Sequence, residues 1–224
     1  MENWVHDWGK VIDMGLLLRT LSSIEKKISG GINISPDMEH VFKAFRACRY
    51  RDLNVVMLGQ DPYPQKGVAT GILFGNRDDV PEDRLSPSLK VVKEAVICPE
   101  KPHSGVLFDN TLKEWATQGI LMINSALTVE TGHVGSHTAI WRPFMSSLLK
   151  NISENSTGIV YVLFGGQASS FKPYINSRFN YILEEKHPAY YARKGIRMPP
   201  TVFEETNRIM LSNYGRTIKW FKEY

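Results

Sequence analysis

Four short apolar runs, at residues 53–58, 120–123, 159–164 and 181–183, limit what this chain can fold into more than any other feature. Each is strand-sized, and each lacks the polar alternation of a strand with one wet face. Strands buried on both faces belong to parallel sheets covered on either side by helices. The intervening stretches are long enough to supply those helices. Leu16, Leu17, Leu21, Ile24 and Ile28 recur at helical spacing before Gly30-Gly31. A second helix is expected from Ser35-Pro36 through Val41, Phe42 and Phe45, and another from Ser86-Pro87, with Ser as cap and Pro in the first turn. Thr111-Leu112-Lys113-Glu114 reads as a capping box, closed by Gly119, and a last helix covers about residues 201–211. The expectation is an α/β fold over residues 1–224: a single domain with a central, mostly parallel four-stranded sheet flanked by helices.

In open parallel sheets, ligands bind beyond the carboxyl ends of the strands. Residues 59–64, 124–129, 165–168 and 186–193 should therefore converge at one edge, and they carry the chain's most unusual polar residues. The first reads Gly59-Gln60-Asp61-Pro62-Tyr63-Pro64. A tight turn accounts for Gly, Asp and Pro, but needs neither Gln60 nor Tyr63.

Composition narrows the setting. The 224 residues are 42% hydrophobic and 22% charged, close to the globular average. No apolar run approaches a bilayer span, and the first residues lack a basic, apolar leader, so a cytoplasmic, intracellular protein without signal peptide is expected. Cys48 and Cys98 stand in no paired spacing and read as free thiols. The net charge of +4 is compatible with a polyanionic partner without establishing one. His133 and His137, four apart, lack a carboxylate or Cys to complete a ligand set, so no metal is expected.

Gly59-Gln60-Asp61-Pro62-Tyr63 resembles the water-activating loop of the main uracil-DNA glycosylase family. The segment Leu121-Met122-Ile123-Asn124-Ser125-Ala126-Leu127-Thr128-Val129 resembles its base-reading segment, and His187-Pro188 opens what looks like its DNA-intercalation loop. Val41-Phe42-Lys43-Ala44-Phe45, Pro87-Ser88-Leu89, Trp115-Ala116-Thr117-Gln118-Gly119 and Ser136-His137 match in the family's order. The resemblance implies an enzyme that flips uracil out of DNA and hydrolyses its N-glycosidic bond. Uracil leaves as an anion while the sugar becomes cationic, so the site must stabilise both charges. Asp61 matches the aspartate that positions water and stabilises the sugar cation; His187 matches the histidine that donates, neutral, to uracil O2. Asn124 matches the reader of N3–H and O4, a pattern cytosine reverses. Tyr63 matches the residue that excludes the thymine methyl, Phe74 the ring that stacks on the flipped base, and the Gln60 backbone a further contact to the base. Phe74 between Gly71 and Gly75 also reads as a core aromatic. For DNA, the resemblance points to Ser88, Ser136, His137, Tyr190, Tyr191 and Arg193.

The match breaks in places. Pro64 stands where the family has His, Gly166, Ala189 and Ala192 where it has serines that clamp phosphates, and Tyr190-Tyr191 where it has Pro-Leu. Tyr191 is aligned with the intercalating Leu and is expected to wedge into the stack, with Tyr190 packing beside it. The other reading is that both tyrosines pack the loop onto the domain. Arg193, Lys194 and Arg197 offer nonspecific phosphate attraction. The expected partners are single- or double-stranded uracil-containing DNA and the family's DNA-mimicking protein inhibitors, with the chain a monomer off the membrane. A different class, a DNA-binding or replication accessory protein with little turnover, rests only on the lost serines.

Overall fold

In the computed structural model, which describes residues 7–97 and 105–224, all four apolar runs are strands of one parallel sheet. They are β1 (Val55–Gly59), β2 (Ile120–Asn124), β3 (Val160–Phe164) and β4 (Tyr181–Glu185), in the order β2-β1-β3-β4. Every residue of β1 and β3 is buried, whereas β4, at the edge, has only exposed and half-buried residues. Alternate side chains feed two cores. Val56, Leu58, Leu121 and Ile123 face one, with Leu17 and Ile24 of helix α1 (Met14–Ser29). Val55, Met57, Ile120 and Met122 face the other, with Leu89 and Val92 of helix α2 (Pro87–Val96). The long helix α3 (Thr138–Asn155) joins the first core through Trp141, Phe144 and Leu148. Helices α4 (Pro188–Lys194) and α5 (Thr201–Tyr214) bring Tyr191, Phe203 and Met210 to the second.

Three local expectations are corrected. Ser35 starts no helix, because it pairs antiparallel with Val129 in a two-residue ladder and its hydroxyl donates to the Tyr63 carbonyl at 2.8 Å. The helical turns come later, at Met38–His40 and Lys43–Ala47. The Thr111 capping box does not form; Asp109 takes over, its carboxylate accepting from the amides of Thr111 and Glu114 at 2.9 and 2.8 Å. The stretch after β4 is a seven-residue helix rather than a loop, with His187 as its N-cap and Pro188 in the first turn. Cys48 is a free, buried thiol whose pKa burial pushes up to about 12; Cys98 lies outside the described residues. Among the described residues, no helix is long and apolar enough to cross a membrane.

Candidate active site

The strand ends open onto a cavity of about 270 Å³ lined by Gln60, Asp61, Tyr63, Phe74, Ser88, Asn124, His187, Ala189 and Arg193, among others. Three of the four strand-end segments contribute to it directly. The fourth, residues 165–168, supports it from behind: Gly165 has φ +84°, and a Cβ there would stand 3.0 Å from the His187 Cβ.

Asp61 leaves β1 half-buried. Its Oδ2 accepts from the Gly135 amide at 2.7 Å and from Gln60 Nε2 at 3.2 Å, while Oδ1 is buried without a protein partner. Burial raises its pKa, opposed by those two donors. One oxygen is thus fixed and the other left for a ligand. The Gln60 carbonyl already accepts from the Ser125 hydroxyl at 2.9 Å and the Ala126 amide at 3.1 Å. Both of its lone pairs are used, so only the N–H of this peptide remains for a base.

Asn124 ends β2 beside Gly59, its register partner. Its Oδ1 is buried and unpartnered. A larger residue at 59 would displace it: a Cβ would lie 2.7 Å from that oxygen and 2.4 Å from Leu73 Cδ1. The bare Cα lets the carboxamide lie against the strand end.

His187 is held by α4. Its Nδ1 accepts from the Ala189 amide at 3.2 Å, so the proton of the neutral ring sits on Nε2. Burial, and then the positive charge of Arg193, lower its pKa from 6.5 to about 4. The imidazole is therefore a neutral N–H donor at physiological pH. The Phe74 ring meets it edge-on, with centroids 5.5 Å apart, and meets Phe164 at 5.3 Å. Phe74 is thus both core and cavity wall. Its φ of +62° is unusual for a residue with a Cβ and costs about 1–3 kcal/mol. The Tyr63 phenol donates to the Phe74 carbonyl at 3.1 Å, tying the two cavity aromatics together.

The residues expected to touch DNA divide. Arg193 is exposed at the mouth. Ser136 is half-buried, and its hydroxyl accepts from the Glu130 amide at 2.8 Å, which leaves its proton to donate. Ser88 lines the cavity only 4% exposed, so it is not presented on the surface as the sequence suggested. His137 is corrected: it is wholly buried, with Nδ1 2.9 Å from the Thr128 hydroxyl, which also accepts from Trp141 Nε1 at 2.7 Å. It is an internal brace and cannot reach a phosphate. Tyr191 is corrected as well. It is 7% exposed, packs in the second core and donates its hydroxyl to Glu185 Oε1 at 2.6 Å, so it is not the free wedge the alignment implies. Tyr190 is the half-buried one, with Lys186 Nζ 4.5 Å above its ring. Sequence reasoning missed Gly135, Ser35 and Glu185. The first acts through its amide and the second on a distant carbonyl, so neither leaves a residue-type signal. Glu185 lies two residues beyond the apolar run 181–183 and has no signal of its own.

A neutral imidazole, a half-committed carboxylate and an unpaired carboxamide surround a small, aromatic-walled space with room for one planar, hydrogen-bonding ring. Residues 45–211 match the profile of the Uracil DNA glycosylase superfamily. Over 222 residues the chain is 30% identical to the Uracil-DNA glycosylase of Pseudoalteromonas translucida (strain TAC 125), covering 98% of this chain and 99% of that one. It is 35% identical over 194 residues to that of Buchnera aphidicola subsp. Acyrthosiphon pisum (strain APS), 84% of each. The crystal structure of mimivirus uracil-DNA glycosylase shares the fold, with TM-score 0.82 at 21% identity over 98% of this chain and 87% of that one. A second mimivirus structure, with the same TM-score and identity over 98% and 88%, is of UNG in complex with UGI. This chain belongs to the uracil DNA glycosylase superfamily.

Proposed function

We propose that this chain is a DNA-repair glycosylase that draws uracil into the cavity, hydrolyses its N-glycosidic bond and leaves an abasic site. The observation that carries this reading is the pair of buried, unpartnered oxygens, Asp61 Oδ1 and Asn124 Oδ1, beside a histidine locked as an Nε2–H donor.

Asn124 Oδ1 accepts from uracil N3–H while its amide donates to O4. Cytosine presents the opposite pattern and leaves buried groups unpaired, a mismatch worth up to about 10⁴-fold. Tyr63 closes the side where a thymine methyl would enter, and Phe74 stacks on the ring. As the C1′–N1 bond breaks, its electrons pass to the base, and His187 Nε2–H stabilises the charge on O2. Asp61 Oδ1 faces the cationic sugar and accepts from the water that adds to C1′. Tyr190, beside Lys186, is the aromatic placed to fill the gap in the stack, while Arg193 and Ser136 meet phosphates. A monomeric working form belongs to the same reading. A protein inhibitor would have to cover the same mouth, where Arg193 offers it a cation.

Single-turnover excision on a uracil oligonucleotide tests this. Asp61→Asn should slow it by about 10²–10⁴-fold without unfolding the chain. Near-normal rates in both Asp61→Asn and His187→Ala would overturn the site. No measurable turnover in the unaltered protein would favour an accessory DNA-binding role.

A further inference from the structure

We propose that Tyr191 and Glu185 form a clamp that positions His187, making Tyr191 a positioning residue for excision. The inference rests on the reading of His187 as the donor to the base.

A single oxygen, Glu185 Oε1, receives two donors: the Lys186 amide at 2.7 Å and the Tyr191 hydroxyl at 2.6 Å. These partners stand on either side of His187, one residue before it and four after. Glu185 is itself fixed as the last residue of β4, paired with Phe164 of β3. The carboxylate therefore ties both arms of the turn that carries the imidazole to the sheet. Within the turn, the Tyr190 amide bonds the His187 carbonyl at 2.8 Å, and the Ala189 amide bonds Nδ1 at 3.2 Å. The Ala189 bond selects the Nε2–H tautomer only while α4 keeps its position relative to the strand end. The buried Tyr191 ring holds that position by packing, and its hydroxyl adds direction. Hydrogen bonds to a charged acceptor are short and orienting, and a reacting group misplaced by about 1 Å can lose up to 10² in rate.

Tyr191→Phe keeps the packing and removes only the hydroxyl. It should lower single-turnover excision about tenfold, equally on single- and double-stranded uracil oligonucleotides, with binding to abasic product DNA within twofold of the unaltered protein. The imidazole ¹⁵N signals of His187 should change from one Nε2–H tautomer to a mixture, which a purely structural role elsewhere would not cause. Combined with Glu185→Ala, Tyr191→Phe should add no further loss. Excision by Tyr191→Phe within twofold of the unaltered protein on both substrates would overturn the clamp. So would a loss confined to duplex, which is the signature of a wedge. Were the unaltered protein inactive, the excision reading would fail, and the imidazole signals would still decide the clamp.

Discussion

The neutral state of His187 can be tested through stability as well as rate. In the folded chain burial and Arg193 hold its pKa near 4, whereas an unfolded histidine titrates near 6.5. A depressed histidine pKa means that the unfolded chain binds the proton more readily, so stability rises with pH between about 4 and 6.5. Between pH 7.5 and pH 5 the unfolded state gains the proton almost fully and the folded state hardly at all. That difference is worth about 2 kcal/mol at 1.36 kcal/mol per pKa unit, and screening through the open mouth makes this an upper figure. His137, also depressed by burial, adds a slope of the same sign. Asp61, whose pKa is raised, adds one of opposite sign at lower pH. Comparison with a variant isolates His187. Denaturant unfolding at pH 7.5 and 5.0 should show the unaltered protein losing about 1–2 kcal/mol more than His187→Gln. Equal losses, or an imidazole NMR titration centred near 6.5, would refute the argument that the donor to O2 is a neutral ring held by burial.

Three further outcomes follow from particular contacts. Gly59→Ala places a methyl 2.7 Å from Asn124 Oδ1 and 2.4 Å from Leu73 Cδ1. Unfolding should show a loss of about 1–3 kcal/mol, with excision reduced at least as much as in a neutral core variant of equal stability. Gly166→Ser has room, since a Cβ there meets nothing within 4 Å; together with Ala189→Ser it should tighten binding to abasic DNA by up to about tenfold per hydroxyl, read by fluorescence anisotropy. Tyr63→Ala removes both the bond to the Phe74 carbonyl and the wall against a methyl group. It should release thymine from a T·G duplex, and no thymine release with unchanged uracil excision would remove Tyr63 from that role.

The sheet was legible because three of its strands are buried on both faces, which writes itself as unbroken apolar runs such as 159–164, while the edge strand β4 showed only as the short run 181–183. The site was legible for the same reason: once the strands are placed, Asp61, Asn124 and His187 must lie at their carboxyl ends. Contacts spanning long separations were not legible. Nothing local announces that Ser35 will pair with Val129 and hold Tyr63, or that Asp109 will displace Thr111 as a cap. His137 next to Ser136 looks like a loop residue, yet the Thr128–Trp141 network buries it. The helix after β4 has one local signal, Pro188 suited to the first turn, and it is this helix that carries Tyr191 into the second core.

Where the chain departs from its family also has a physical logic. The groups that align the chemistry are held by the main chain: the Gly135 amide on Asp61, the Ala189 amide on His187 and the Phe74 carbonyl on Tyr63. No substitution other than proline deletes a backbone N–H, and none deletes a carbonyl. Ala189 illustrates the point, because the N–H that sets the His187 tautomer is there whether the side chain carries a hydroxyl or not. Phosphate contacts from hydroxyls are separable, roughly additive and replaceable by diffuse charge such as that of exposed Arg193, Lys194 and Arg197. The geometry at the base has no such substitute, since each of its donors and acceptors meets one atom. Divergence is therefore expected in the grip on DNA before the pocket; Gly166, Ala192 and Tyr190 fall outside the cavity lining, whereas Pro64 and Ala189 stand on its wall.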